Sequence, residues 1–270
     1  MIIARFGDTW STAHEFGTIE AEDNWSTRRE PVQQQVGGAS GVYDFFGSED
    51  YPVQPLTVAK RYTITSSTYA GVETTDLETL RGDLYNGISK LWGEMRDGTR
   101  RWAWAKCVGL KTNEKSKTAK TAAEVELEFF IPEGVWYSET ANTVNKTADD
   151  AFNVTNAGNF PALVYAELTP SSVKVTKFFW AVVSPLISTA TTFTWEDTGT
   201  GIPSGDTLII DSAAYSITMA GLDSYRYVTL GTGQVAWLYL APGTNNVTII
   251  VTQALGSWSL DFQWYDTWVM

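Results

Sequence analysis

The chain of 270 residues carries a net charge of −12 at pH 7, and aromatic side chains make up 13% of it. Its hydrophobic content of 43% is enough to bury a core, which excludes an intrinsically disordered chain. Because nucleic-acid-binding domains normally present a basic face, the acidic balance argues against specific binding to DNA or RNA.

The chain offers few residues for catalysis or metal binding. It has one cysteine, Cys107, and one histidine, His14. The apolar neighbours of Cys107 indicate a small buried side chain, and no motif supplies a base beside it. A zinc site would lack ligands. We therefore expect no catalytic residues, no cofactor and no metal, and a chain without disulfides suits a reducing compartment.

Neither end of the chain nor its interior suggests a membrane segment. The first residues lack the basic stretch and apolar core of a signal peptide. The longest apolar run, Phe178–Val183, has the length of a strand, whereas a membrane-spanning helix needs about 20 residues. We expect no membrane span.

Charged residues concentrate before residue 141, and the rest of the chain is rich in Thr, Ser, Val, Ala and Gly. This shift predicts two domains, residues 1–140 and residues 159–265. The polar segment between them, residues 141–158, has no clear period and is interpreted as a linker.

One helix is predicted in the first domain, over residues 75–91. Thr75 and Glu78 have the spacing of a capping box. Apolar residues then recur at intervals of three and four, which defines one helical face. They are Leu77, Leu80, Leu84, Ile88 and Leu91.

Alternating patterns predict that the rest of this domain is β-strand. Trp102 and Trp104 begin one such strand after the turn dipeptide Asp97-Gly98, and residues 124–129 form another with acids on its outer face. Between these strands lies a lysine-rich stretch, which is either a solvated loop or an arm that contacts an acidic neighbour. Contact with nucleic acid is disfavoured because no aromatic residue interleaves the lysines. Arg100 and Arg101 beside the tryptophans are residue types enriched at interfaces. The candidate interface residues are Arg100, Arg101, Lys111, Lys115, Lys117 and Lys120.

The second half reads as about eight short strands separated by turn residues, which suggests a β-sandwich. Asp197, Asp206 and Asp211 lie close in sequence and could serve a glycosidase or a calcium site, although loop aspartates more commonly cap turns. Exposed aromatic rings could also bind sugars, but alternation hides many of them in the core. The candidate rings are Trp180, Trp195, Trp237, Tyr239, Trp258, Trp264, Tyr265 and Trp268. No particular glycan-binding residue is assigned.

Several segments, in this order and spacing, resemble the distal tail protein family of long-tailed bacteriophages over nearly the whole chain. In the first half these are residues 76–92, the hairpin of residues 96–106, and residues 126–130 closing at Trp136-Tyr137. In the second half they are residues 204–211, 240–245 and 265–268.

The resemblance implies a mainly β, non-enzymatic structural protein of the virion tail tip, made in the host cytoplasm. It implies that the first domain, which carries the helix, forms a hexameric ring, and that residues 266–270 can return to complete it. The second domain would be a galectin-like or carbohydrate-module-like sandwich. The implied partners are other copies of the chain, the tail tube protein, the tail-tip or baseplate hub protein, receptor-binding proteins and, through host adsorption, host glycans. The alternative function is a glycan-binding module for attachment to the host surface.

Overall fold

The computed structural model describes residues 1–16, 27–29, 56–65, 77–85, 87–114, 122–171, 174–184, 187–229, 237–253 and 256–269. They fall into two compact units, Met1–Glu139 (unit 1) and Thr140–Val269 (unit 2). Antiparallel strands form three sheets in the described part of the chain, together with one α-helix. The predicted mainly β fold class is confirmed.

Unit 1 is organised around one large antiparallel sheet. Its strands follow the order β2-β1-β5-β6-β7-β4-β3, with β8 paired to β6. These strands are β1 (Ile2–Phe6), β2 (His14–Glu15), β3 (Thr27–Arg29), β4 (Leu56–Thr65), β5 (Ile88–Glu94), β6 (Arg100–Glu114), β7 (Ala122–Ile131) and β8 (Val135–Ser138).

The hairpin between β5 and β6 closes at the predicted Asp97-Gly98 turn. The Met95 N–H donates to the Thr99 carbonyl at 2.8 Å, and Gly98 has a φ of 81°, which a glycine adopts without steric cost. The Thr99 hydroxyl and backbone N–H both donate to Asp97 Oδ1. These hydrogen bonds, the hydroxyl's foremost, lower the pKa of Asp97.

The two faces of this sheet differ in burial. On the face that we call the inner face, β6 buries Ala103, Ala105 and Cys107, and the neighbouring strands bury Leu91 and Phe129 opposite them. The alternate residues of β6 lie on the other side, the outer face. A β-bulge between Cys107 and Gly109 shifts this alternation by one residue.

The α-helix of unit 1, α1, spans Leu77–Leu84, so the prediction of a helix over residues 75–91 was wrong in its second part. Thr75 of the capping box lies outside the described residues. Gly87 has a φ of 101°, which ends the helical conformation, and Ile88 and Leu91 belong to β5. The helix buries its three leucines, Leu77, Leu80 and Leu84.

Unit 2 contains two antiparallel sheets. One has the order β10-β19-β12-β13-β17, and the other has the order β16-β15-β14-β11-β20-β9 with β18 paired to β11. The strands of these sheets are β9 (Asn142–Lys146), β10 (Asp150–Asn156), β11 (Ala162–Pro170), β12 (Val175–Ser184), β13 (Ile187–Glu196), β14 (Leu208–Asp211), β15 (Ser216–Met219), β16 (Leu222–Asp223), β17 (Val228–Thr229), β18 (Tyr239–Leu240), β19 (Gly243–Gln253) and β20 (Trp258–Trp264). The last strand of the chain, β21 (Thr267–Val269), belongs to neither sheet. Tyr225–Tyr227 form a short 3-10 helix.

The two sheets of unit 2 share one hydrophobic core, which makes the unit a β-sandwich. Trp180 on β12 meets Phe262 on β20 edge to face, with ring centroids 5.3 Å apart, and both are buried. Side chains alternate in burial along β20, where Trp258, Leu260, Phe262 and Trp264 are buried.

Residues 141–158 do not form an irregular linker, contrary to the prediction. Most of them belong to β9 and β10, which pair with β20 and β19 inside unit 2. These are edge strands with polar outward residues, so their sequence shows only a weak apolar alternation.

The end of the chain also forms hydrogen bonds within unit 2, where the Ala157 N–H donates to Asp266 and the Val269 N–H donates to Asn159.

Two of the outermost strands are short: β2 and β16 have two residues each. The longer edge strands β9 and β10 carry Lys146 and Asp150, which form an ion pair at 2.6 Å. No helix in the described part of the chain is long and apolar enough to cross a membrane.

We predict that Leu84→Ala lowers the free energy of unfolding by about 2–5 kcal/mol, because the side chain is 1% exposed and its removal leaves a cavity. Urea denaturation measures the change. The control is Tyr85→Ala at the next position, where the side chain is 64% exposed and should change stability little. Equal effects of the two substitutions would contradict this assignment of the helix face.

Candidate functional site

Cys107 is buried on the inner face of β6, as predicted for a small apolar side chain. Its Sγ lies 3.5 Å from the Gly109 carbonyl oxygen. Burial raises the pKa of the Cys107 thiol, which keeps it protonated and therefore a poor nucleophile.

The other residues considered for catalysis occupy separate places in the fold. His14 lies on β2 of unit 1. Asp197 Oδ1 accepts hydrogen bonds from the backbone N–H groups of Gly199 and Thr200, and Asp211 caps the turn after β14 in the same way. These two aspartates therefore stabilise turns. Within the described residues, no group of three or more His, Cys, Asp or Glu side chains could hold a metal ion.

Arg100 and Arg101 lie on opposite faces of β6 and are both half-buried. Arg100 forms an ion pair with Glu139 at 3.1 Å and stacks over the Trp10 ring, with the guanidinium carbon 4.2 Å from the ring centroid. Burial lowers the pKa of Arg101, and the charge of Asp97 opposes that shift. Arg100 therefore already has partners inside unit 1.

A cluster of aromatic rings with Lys90 is centred on Trp102, on the same face of β6 as Arg100. Trp102 stacks on Tyr137 of β8 at a centroid distance of 4.6 Å and meets Trp104 edge to face at 5.4 Å. The Lys90 ammonium lies 4.3 Å from the Trp102 centroid. Cation–π contacts of this kind contribute about 0.5–2 kcal/mol each, so we assign the cluster a structural role.

Lys111 is exposed near the end of β6, on the outer face opposite Glu126. Lys115, Lys117 and Lys120 lie outside the described residues.

The outer face of the unit 1 sheet exposes large apolar side chains that the sequence analysis did not assign to a site. Ile88 on β5 is 60% exposed, and Trp104 and Val108 on β6 are 36% and 53% exposed. Ile88 pairs with Lys106, and Trp104 pairs with Lys90, which places these residues side by side. An exposed apolar patch bordered by charged residues is typical of an interaction surface.

Most of the aromatic rings considered for sugar binding are inside the sandwich. Trp180, Trp195, Tyr239, Trp258 and Trp264 are buried. Trp237, Tyr265 and Trp268 are half-buried.

Trp237 is the centre of an aromatic cluster on unit 2. The exposed rings of Tyr215 and Tyr225 contact it, with centroids 5.4 and 5.9 Å away. Asp211 caps the turn that carries Tyr215, which adopts a φ of 53°, uncommon for a residue other than glycine. The sequence did not single out the two tyrosines, because turn residues follow no alternating pattern.

The two units together define a class of protein: a mainly β chain in which a sheet unit with one short helix precedes a β-sandwich. No protein-family model and no curated protein matches the sequence. Among solved structures, the chain is similar to the distal tail protein SPP1 Dit (gp 19.1), described as a paradigm of the hub adsorption apparatus in phages that infect Gram-positive bacteria. The TM-score is 0.55 with 13% identity, over 90% of this chain and 88% of SPP1 Dit.

This match confirms, at the level of the fold, the resemblance read from the sequence. A second match, to the phage p2 baseplate in its activated conformation with Sr, has a TM-score of 0.41 and 8% identity over 88% of this chain and 86% of that one.

We predict that the Cys107 thiol does not react with Ellman's reagent in the folded protein and reacts fully in concentrated urea. The reason is that burial prevents the reagent from reaching the Cys107 sulfur and raises the pKa of the thiol. Absorbance of the released thiolate measures both states. Rapid reaction without urea would show that the inner face is accessible at β6.

Proposed function

We propose that this chain is a distal tail protein of a long-tailed phage, a structural component that joins the tail tube to the tail tip or baseplate hub. The observation that carries the proposal is the similarity of fold to SPP1 Dit over about nine tenths of both chains. Because one fold can serve several functions, the proposal is tested by measuring how the chain assembles.

In this proposal, residues 1–140 form the ring-building domain and assemble as a hexamer, with residues 266–270 completing it. The sandwich of residues 159–265 is galectin-like or carbohydrate-module-like, and supports receptor-binding components. The ring contacts the tail tube protein on one side and the hub protein on the other. Its location is the virion tail tip, after synthesis in the host cytoplasm, and it is not an enzyme.

The lysines and the arginines among the candidate interface residues have different proposed roles. Lys111, with Lys115, Lys117 and Lys120, is proposed as a basic arm that contacts an acidic neighbouring subunit, because each subunit carries a net charge of −12. Arg100 and Arg101 are proposed to stabilise the part of unit 1 that carries the interface. The Arg100 side chain already stacks on an aromatic ring and forms an ion pair inside unit 1.

A second candidate function, glycan binding, is favoured by the cluster of Tyr215, Trp237 and Tyr225. Two exposed rings against a third provide an apolar surface on which the carbon face of a sugar can stack. Polar turn residues, including Asp223, lie in the same region, where the Tyr225 N–H donates to Asp223 Oδ1.

We predict that the purified chain forms rings whose mass is six times the 29.8 kDa of one chain. Mass photometry gives the number of copies, and negative-stain electron microscopy shows whether the particle is a closed ring. A chain that stays monomeric over the whole accessible concentration range would argue against self-assembly into a ring.

For the second candidate function, we predict that Trp237→Ala weakens binding on an array of bacterial surface glycans about tenfold, because it removes the central ring of the cluster. The matched control is Tyr85→Ala, which removes an exposed ring from unit 1. If the unmodified chain binds no glycan on the array, glycan binding is ruled out as the function of this cluster.

A further inference from the structure

The three aromatic rings of Tyr215, Trp237 and Tyr225, which we call the unit 2 aromatic cluster, are inclined to one another. The Tyr215 ring makes an angle of 73° with the Trp237 ring, and the Tyr225 ring makes an angle of 45° with it. Three rings at these angles do not form one flat platform, as a flat polymer surface would require. Their faces point in different directions, so a compact group can contact more than one of them.

Buried serines fix the backbone around the unit 2 aromatic cluster. Ser212 accepts a hydrogen bond from the Leu238 N–H at 3.0 Å, which joins the turn carrying Tyr215 to the residue that follows the cluster's tryptophan. Ser224, which precedes the second tyrosine, accepts a hydrogen bond from the Trp195 indole N–H at 3.0 Å. The two serines are 0% and 1% exposed. The rings are therefore positioned before a ligand arrives, which lowers the entropic cost of binding.

The electrostatic surroundings of the cluster are negative. Asp211 accepts hydrogen bonds from backbone N–H groups just before Tyr215, and Asp223 accepts one from the Tyr225 N–H, so a carboxylate lies beside each tyrosine in the chain. The faces of aromatic rings carry partial negative charge. The chain as a whole has a net charge of −12. A cation is therefore attracted to the cluster and an anion is repelled.

A cation of the chain itself already uses a ring next to the cluster in this way. The guanidinium carbon of Arg226 lies 4.6 Å from the centroid of the Tyr227 ring, and the Arg226 side chain donates to the Tyr227 hydroxyl at 2.7 Å. Tyr227 packs in turn on the buried Trp195, at a centroid distance of 5.7 Å. The charge of Arg226 is thus engaged by Tyr227.

We infer that the unit 2 aromatic cluster binds an alkylammonium group, carried by an amino sugar or by a quaternary ammonium substituent of a surface polymer. Aromatic faces attract such cations, and sets of several rings recognise quaternary ammonium groups. The inference rests on the second candidate function, because it names the ligand class of the same cluster. It goes beyond the stacking of a sugar, which requires no charge.

The test compares each cation with an uncharged molecule of nearly the same shape. Choline is paired with the alcohol in which a carbon atom replaces its nitrogen, and glucosamine, in mildly acidic buffer where its amine is protonated, is paired with glucose. Saturation-transfer difference NMR on the full chain gives the dissociation constants. We expect at least one cation to bind about tenfold more tightly than its uncharged partner. The pair that shows the difference identifies the source of the ammonium group.

Two substitutions test whether the cluster supplies this selectivity. Tyr215→Asn removes one ring, and asparagine tolerates the φ of 53° at that position, so the turn is retained. Asp223→Asn removes one negative charge and keeps an oxygen that can accept the Tyr225 N–H. Each should reduce the preference for the cation about threefold or more. Asp223→Asn should leave the binding of the uncharged partner unchanged.

The matched controls remove a ring and a charge from unit 1. Tyr85→Asn removes an exposed ring, Glu78→Gln removes an exposed carboxylate on α1, and neither should change the preference for the cation. Arg226→Gln removes the positive charge that follows Tyr225, and should strengthen binding of the cation, whereas it would weaken binding of an anion. Thermal unfolding midpoints close to that of the unmodified chain show that each variant is folded.

Equal affinity for the charged and uncharged members of both pairs would overturn the inference. If glycans on the array still bind and Trp237→Ala weakens them, the second candidate function stands with an uncharged ligand. If no glycan binds either, both fail, and the proposed ring, which is measured by mass, is unaffected. A preference for the cation that persists undiminished in Tyr215→Asn and Asp223→Asn would also overturn the inference, because the cation would then bind elsewhere on the chain.

Discussion

Each β-strand places its side chains on two faces, and the two units of this chain differ in how the apolar faces of their sheets are covered. In unit 2, two sheets bury their apolar faces against each other around Trp180 and Phe262. In unit 1 the inner face is buried around Phe129, but the outer face keeps Ile88 and Trp104 in contact with solvent. Strand geometry fixes which residues lie on each face, and exposed apolar side chains bordered by charge are typical of an interaction surface.

Much of the fold could be predicted from local pattern, and the errors have identifiable causes. The strands of the sandwich core were predictable because large apolar residues alternate along them, as they do from Trp258 to Trp264. The helix was predicted too long because Ile88 and Leu91 continue its spacing, although the positive φ at Gly87 turns the chain into β5. A glycine in a sequence shows that such a turn is permitted, and only the pairing of β5 with β6 shows that it is used. Residues 141–158 were interpreted as a linker because an edge strand buries few side chains and so leaves little periodic signal.

The candidate surfaces were less predictable than the fold, because alternation separates two faces without indicating which one is buried. Trp102 and Trp104 share a face of β6, yet Tyr137 from β8 covers the first and leaves the second exposed. Arg100 was a reasonable interface candidate from its residue type, but its partners are Trp10 and Glu139, which are far from it in sequence. Long-range pairing of this kind decides exposure, and no local pattern encodes it. The fold comparison adds the overall arrangement of the chain but, at 13% identity, no residue-level assignment.

The short outermost strands have a consequence for how such a subunit can be stored and assembled. A long unpaired strand offers backbone N–H and C=O groups to any similar strand, which is the route to open-ended fibril growth. Here β2 and β16 offer two residues each, and Lys146 and Asp150 place charge on the longer strands β9 and β10. Backbone-driven polymerisation is therefore disfavoured, and association is left to side chains, whose complementarity can specify one partner and one stoichiometry. A fold with short or charged edges therefore limits strand-to-strand aggregation and keeps the side-chain surfaces through which it can associate.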